Sequence, residues 1–112
     1  YHTSYLRFAE RGRTEMLRAA GFEHAVLLKE RGVAFAVAEI NVRFLAPAKL
    51  DDLLNVRTSV TKISGASMEM DQAILKNEKP LVSIKIMLVC IDQNLKAVRL
   101  PKEIIKIFES KT

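Results

Sequence analysis

The sequence predicts an α+β domain in two layers, one long amphipathic helix against an antiparallel sheet. Three observations carry this. Near the start, apolar residues recur at three- and four-residue steps, the spacing of one helix face. From Val33 the period changes to two, the spacing of a half-buried strand. The apolar runs that follow are joined by short polar connections. Such connections favour an antiparallel meander, because parallel pairing needs long crossovers.

The first helix is predicted over residues 3 to about 20. Tyr5, Phe8, Ala9, Gly12, Met16, Leu17 and Ala20 share its apolar face, and Arg7, Glu10, Arg11, Glu15 and Arg18 the other. Thr3 or Ser4 suits the N-cap, since a hydroxyl there accepts from a free backbone N–H. Arg11 and Glu15 are four apart and positioned to pair. Gly12 costs about 1 kcal/mol against Ala in mid-helix, which close packing of another backbone, or tolerance of a small defect, would explain. A second helix is expected over residues 22 to 31, ending near Gly32, with His24 at its surface.

In the first strand Ala38, Ile40, Val42 and Phe44 alternate with Glu39, Asn41 and Arg43. Pro47 ends it, and Asp51-Asp52 reads as a polar turn rather than a catalytic carboxylate pair. A second strand is expected from Leu53 to Ile63, with Leu54, Val56 and Val60 inward. Ser64-Gly65 turns into a third, from Ala66 to about Leu75, with Met68, Met70 and Ile74 on one side. Lys76–Lys79 reads as a hairpin loop. Leu81–Ile91 is apolar on both faces except at Ser83 and Lys85, so it belongs in the centre of the sheet. Asp92-Gln93-Asn94 turns the chain, Lys96–Arg99 is expected to add a short strand, and Pro101 suits the first turn of a final helix. There Ile104, Ile105 and Phe108 face inward.

The 112 residues make one domain, and their net charge is +5. The basic residues are scattered among acids and aromatic residues are few, which argues against nucleic acid. A phosphate-bearing small molecule fits this mild basicity better. No apolar run approaches the ~20 residues of a membrane span. Cys90 is the only cysteine. It lies in an apolar run and reads as a buried structural thiol in a reducing, cytoplasmic setting. With His2 and His24 the only histidines, no zinc motif exists. Phosphate loops, dinucleotide-binding glycine motifs and nucleophile elbows are also absent.

The candidate chemistry sits at the start of the first helix. Free backbone N–H groups there carry partial positive charge and can hold an oxyanion. A neighbouring imidazole, His2, can donate a hydrogen bond or move a proton. A capping or surface histidine is the plainer reading of the same residue.

Tyr1-His2-Thr3-Ser4-Tyr5-Leu6, followed by Phe8, Glu10-Arg11, Arg13 and Thr14-Glu15, resembles the YbgC-type acyl-CoA thioesterases associated with the Tol-Pal system. The resemblance continues at Phe44-Leu45-Ala46-Pro47-Ala48, Leu50-Asp51-Asp52, Val89-Cys90-Ile91-Asp92 and Arg99-Leu100-Pro101, and so covers essentially the whole chain. It implies a hotdog fold, in which a curved antiparallel sheet wraps the long N-terminal helix and a short helix closes the chain. It implies homodimers joined edge to edge, often paired again into homotetramers, with sites at the subunit interface. It implies hydrolysis of short-chain or aromatic acyl-CoA to free acid and coenzyme A. No separate cofactor is expected, since coenzyme A is part of the substrate.

The family motif places an essential Asp a few residues upstream of the Tyr-His pair, before residue 1. An N-terminal strand and that Asp-containing loop are therefore expected to precede this chain, which starts without Met. His2 matches the family's histidine and is the catalytic candidate. The backbone N–H groups of His2 and Thr3 are the oxyanion candidates. Ser4 stands where many members have Asn and others Ser. Tyr1, Ser4, Tyr5 and Phe8 are candidates to line the acyl site, although core packing explains Tyr5 and Phe8 equally well. Lys62, Ser64, Gly65 and Ser67 are candidates for the coenzyme A moiety, and a plain hairpin accounts for them as well. The alternative function is a non-catalytic module that binds acyl-CoA or acyl-carrier protein, or supports a cell-envelope complex.

Overall fold

The computed structural model describes residues 2–47 and 53–109, with side chains described for residues 5–47 and 53–108. The helix α1 (His2–Ala19) and the short α2 (His24–Arg31) lead into β1 (Ala34–Phe44). Three further strands follow: β2 (Asn55–Ser64), β3 (Ser67–Lys76) and β4 (Lys79–Ile91). The helix α3 (Lys102–Glu109) closes the order.

All strand pairs are antiparallel, in the order β1-β4-β3-β2. This corrects the expected meander. β2, β3 and β4 follow one another, but β1 pairs with β4 at the far edge. Ten residues separate β1 from β2, a length that reaches up to ~33 Å when extended, against ~14 Å across three strand spacings. β4 is central, as its apolar faces predict. Val82, Ile84, Ile86, Leu88 and Cys90 are buried on the core face.

α1 packs on β2 and β3, α3 on β2, and α2 on β1. The core lies between these helices and one face of the sheet, and it includes Met68, Met70 and Ile74 of β3 and Tyr5 and Ala9 of α1. Ile104 and Phe108 of α3 are buried in the same core, and Ile105 is half-buried. Complete burial of each such side chain stabilises the fold by roughly 1.5–3 kcal/mol. At Gly12 the helix comes so close to β2 that an added Cβ would stand 2.8 Å from Val56 Cγ1. The packing there is close, but side chains of β2 and β3 supply it instead of another backbone.

Several local expectations are corrected. Thr3 and Ser4 are not caps, because the backbone is already helical at His2. Glu15 pairs with Arg18 at 3.0 Å instead of with Arg11, and Arg18 also lies 4.0 Å from Glu23. These groups are more than half exposed, so the pairing contributes at most a few tenths of a kcal/mol. β2 starts at Asn55, and Leu53 is exposed. Lys96–Arg99 makes only one bridge, Ala97 to Ile91. Its preceding turn is governed by Asp92, whose Oδ1 accepts from the N–H groups of Asn94 and Lys96. Asp51-Asp52 lies outside the described residues.

β1 departs most from expectation. Ile40, Val42 and Phe44 pair with Ile86, Ile84 and Val82, so they point to the core face as predicted. Yet Ile40 is 44 % and Phe44 47 % exposed. The reason is placement: α1 lies mainly over β2 and β3 and reaches β1 only at Phe44, through Tyr5, so the edge strand is only partly covered.

Candidate active site

α1 crosses the sheet obliquely. Its second turn meets the end of β1, where the Tyr5 and Phe44 rings stand 6.0 Å apart and tilted by 53°. One turn on, Ala9 lies against Gln72 of β3, and Gly12 against Val56 of β2. The start of α1 is thus held beside an apolar rim, with Phe44 and Leu45 on β1 and its exit and Leu6 on the helix, all partly exposed.

His2 and Thr3 are the first described residues of α1. The side chains of His2, Thr3 and Ser4, and all of Tyr1, lie outside what is described. Tyr5 is buried and Phe8 half-buried, and both pack against the core.

Lys62, Ser64, Gly65 and Ser67 stand elsewhere. They form the β2–β3 hairpin, where Ser67 pairs with Val89 of β4; beside Phe44, it is Ile74 that pairs with Val82. Seven residues separate Ser67 from Ile74, about 23 Å along a strand. Within one chain the structure does not bring the two groups together. Two polar groups of the hairpin are also engaged: Ser67 Oγ donates to the Ser64 carbonyl at 3.0 Å, and the Gly65 carbonyl accepts from Leu100 N–H at 3.1 Å. Lys62 and Ser64 remain exposed.

A polar cluster centred on one buried amide lies under the middle of α1. Gln72 is buried, and its Nε2 donates to the Ala9 carbonyl at 2.8 Å and to Thr58 Oγ1 at 3.0 Å. Its Oε1 accepts from Arg13 Nη1 at 2.8 Å. Burial lowers the Arg13 pKa, opposed by the nearby Glu10 carboxylate. The available signal was a lone amide in the inward series Met68, Met70, Gln72, Ile74, since a buried amide requires partners. Burial also raises the Cys90 thiol pKa, as suits a structural cysteine. His24 is exposed at the start of α2.

Residues 1–108 match the family described as the thioesterase-like superfamily. The chain belongs to that superfamily. YbgC of Escherichia coli O6:H1, an acyl-CoA thioester hydrolase, is 41% identical over 111 residues, which cover 97% of this chain and 82% of that protein. The acyl-CoA thioesterase YbgC of Haemophilus influenzae is 39% identical over 105 residues, covering 93% and 77%. Among solved structures, a probable thioesterase from Bartonella henselae superposes with a TM-score of 0.83 at 38% identity, covering 90% and 84% of the two chains. The superfamily assignment and the layout of α1 on the sheet agree: this is a hotdog fold, as the opening motif implied. No helix among the described residues of this thioesterase-like chain is long and apolar enough to cross a membrane.

Proposed function

We propose that this chain hydrolyses acyl-CoA thioesters, RCO–S–CoA plus water giving the free acid and coenzyme A. The observation that carries the reading is the position of His2. It opens a helix whose next turn buries Tyr5 beside a partly exposed apolar rim, in a chain 41% identical to an acyl-CoA thioester hydrolase. When the thioester carbonyl is attacked, negative charge gathers on its oxygen. The outward amides of His2 and Thr3 supply donors for it, and removing one such donor typically costs ~100–1,000-fold in rate. The His2 imidazole donates a hydrogen bond or passes a proton to the departing thiolate. The acid that activates water or attacks directly is the Asp that the family pattern places upstream of Tyr1.

Tyr1, Ser4, Tyr5 and Phe8, with Phe44, form the acyl side of this reading, and short-chain or aromatic acyl groups are its substrates. No resident cofactor takes part, because coenzyme A arrives with the substrate. The uncovered stretch of β1 supports a homodimer formed edge to edge. An edge strand offers unpaired backbone groups, and Val37, Ile40 and Phe44 offer apolar surface beside them. A second subunit then supplies the missing wall and a route for Lys62, Ser64, Gly65 and Ser67 to meet coenzyme A. Further pairing into a tetramer and a cytoplasmic location complete the reading.

Free-thiol release by the full-length protein over a panel of acyl-CoA chain lengths and aromatic acyl-CoAs tests this. Turnover of at least one member is expected. Tight binding of acyl-CoA without turnover of any member overturns it and favours the non-catalytic binding module.

A further inference from the structure

We infer that Gln72 is a positioning residue that fixes the register of α1 on the sheet, and through it the place of the helix's first-turn amides. The inference rests on the proposed reaction for its catalytic consequence, and on geometry alone for its structural one.

Gln72 ties three elements at once. From β3 it reaches the Ala9 carbonyl in α1, Arg13 one turn later in α1, and Thr58 in β2. Both bonds to α1 fall on one stripe of the helix, four residues apart. Gly12 lies on the same side and allows the close approach to Val56. A slip of one residue moves a helix ~1.5 Å along its axis and turns it by ~100°. Such a slip carries the Ala9 carbonyl out of reach and drives a side chain into Val56. Apolar contacts alone tolerate small slides, because they are not directional. A buried amide does not, because each group left without a partner costs ~1–3 kcal/mol. The seven residues from His2 to Ala9 span only ~10 Å of rigid helix, so a displacement at Ala9 reaches the first-turn amides undiminished.

The test uses the full-length protein with Gln72→Glu and Gln72→Met. The first keeps an acceptor for Arg13 and removes both N–H donors; the second removes every bond at similar volume. Steady-state thiol release and hydrogen–deuterium exchange are measured on both. The expected result is a kcat lower by roughly 10- to 100-fold with KM changed much less. Exchange is expected to rise about 10-fold or more in α1 while the β3–β4 ladder keeps its protection. Wild-type kcat with wild-type exchange in α1 overturns the inference. A uniform rise in exchange across helix and sheet also overturns it, since that marks general loss of stability. Should the wild-type protein release no thiol from any substrate, the proposed reaction has failed, and exchange in α1 still decides what Gln72 holds.

Discussion

Tyr5 and Phe44 lie ring against ring at 6.0 Å, and this contact ties the second turn of α1 to the last residue of β1. It places the helix start over the edge strand, next to surface that the chain leaves uncovered. Tyr5 is 6 % exposed, so truncation removes a large buried side chain. Tyr5→Ala is expected to cost about 3 kcal/mol, at the low end for aromatic truncation. Phe44→Ala, at a half-exposed position, is expected to cost roughly half as much or less. Urea titrations of the two variants check the order; equal costs would show that the pair does not anchor α1 through Tyr5.

At Gly12 the helix approaches the sheet closely. Gly12→Ala gains ~1 kcal/mol of helix propensity and meets Val56 Cγ1 at 2.8 Å. Overpacking of this kind costs ~1–3 kcal/mol, so a net loss of about 1 kcal/mol is expected. In the background of Val56→Ala the same change should become neutral or stabilising. A double-mutant cycle reads this directly, and additivity of the two changes would contradict the packing account.

Asn77 and Glu78 turn the β3–β4 hairpin with φ of 50° and 67°, a pair of left-handed residues that suits Asn-Gly best. A non-glycine residue there carries roughly 1 kcal/mol of strain. Glu78 also pairs with Arg57 at 2.6 Å, but both side chains are well exposed, so the pair contributes only ~0–1 kcal/mol. Glu78→Gly should therefore raise stability by about 0.5 kcal/mol. A lower denaturation midpoint would mean that the ion pair outweighs the strain.

Cys90 has a thiol pKa raised above its usual 9.0 by burial. The folded state thus holds its proton to higher pH than the unfolded chain does. Its contribution is complete below about pH 9 and is lost as pH rises from there through the raised folded value. Stability measured between pH 8 and 10.5 should fall more in the wild type than in Cys90→Ala. Identical slopes would place the alkaline loss elsewhere.

The helices, the hairpin at Asn77-Glu78 and the central place of β4 were legible because each rests on local pattern. Strand order was not. Nothing in the alternation of β1 says that it pairs with β4 at the edge away from β2. The exposure of Ile40 and Phe44 was hidden for the same reason: periodicity shows which way a side chain points but not whether a helix lies above it. Gln72 went unnoticed because its neighbours in the inward series are apolar, and its partners Ala9, Arg13 and Thr58 lie far away in sequence. At the candidate site, the motif around His2 carried the family. The distance of the Lys62–Ser67 hairpin from the helix start is set by strand pairing and appeared only with the sheet.

The most direct measurement compares the wild-type full-length protein with His2→Ala in thiol release from its best acyl-CoA substrate, alongside thermal melts of both. The account requires kcat to fall by ~100-fold or more with a melting temperature within a few degrees of wild type. Undiminished turnover in His2→Ala would contradict it and remove the start of α1 from the chemistry.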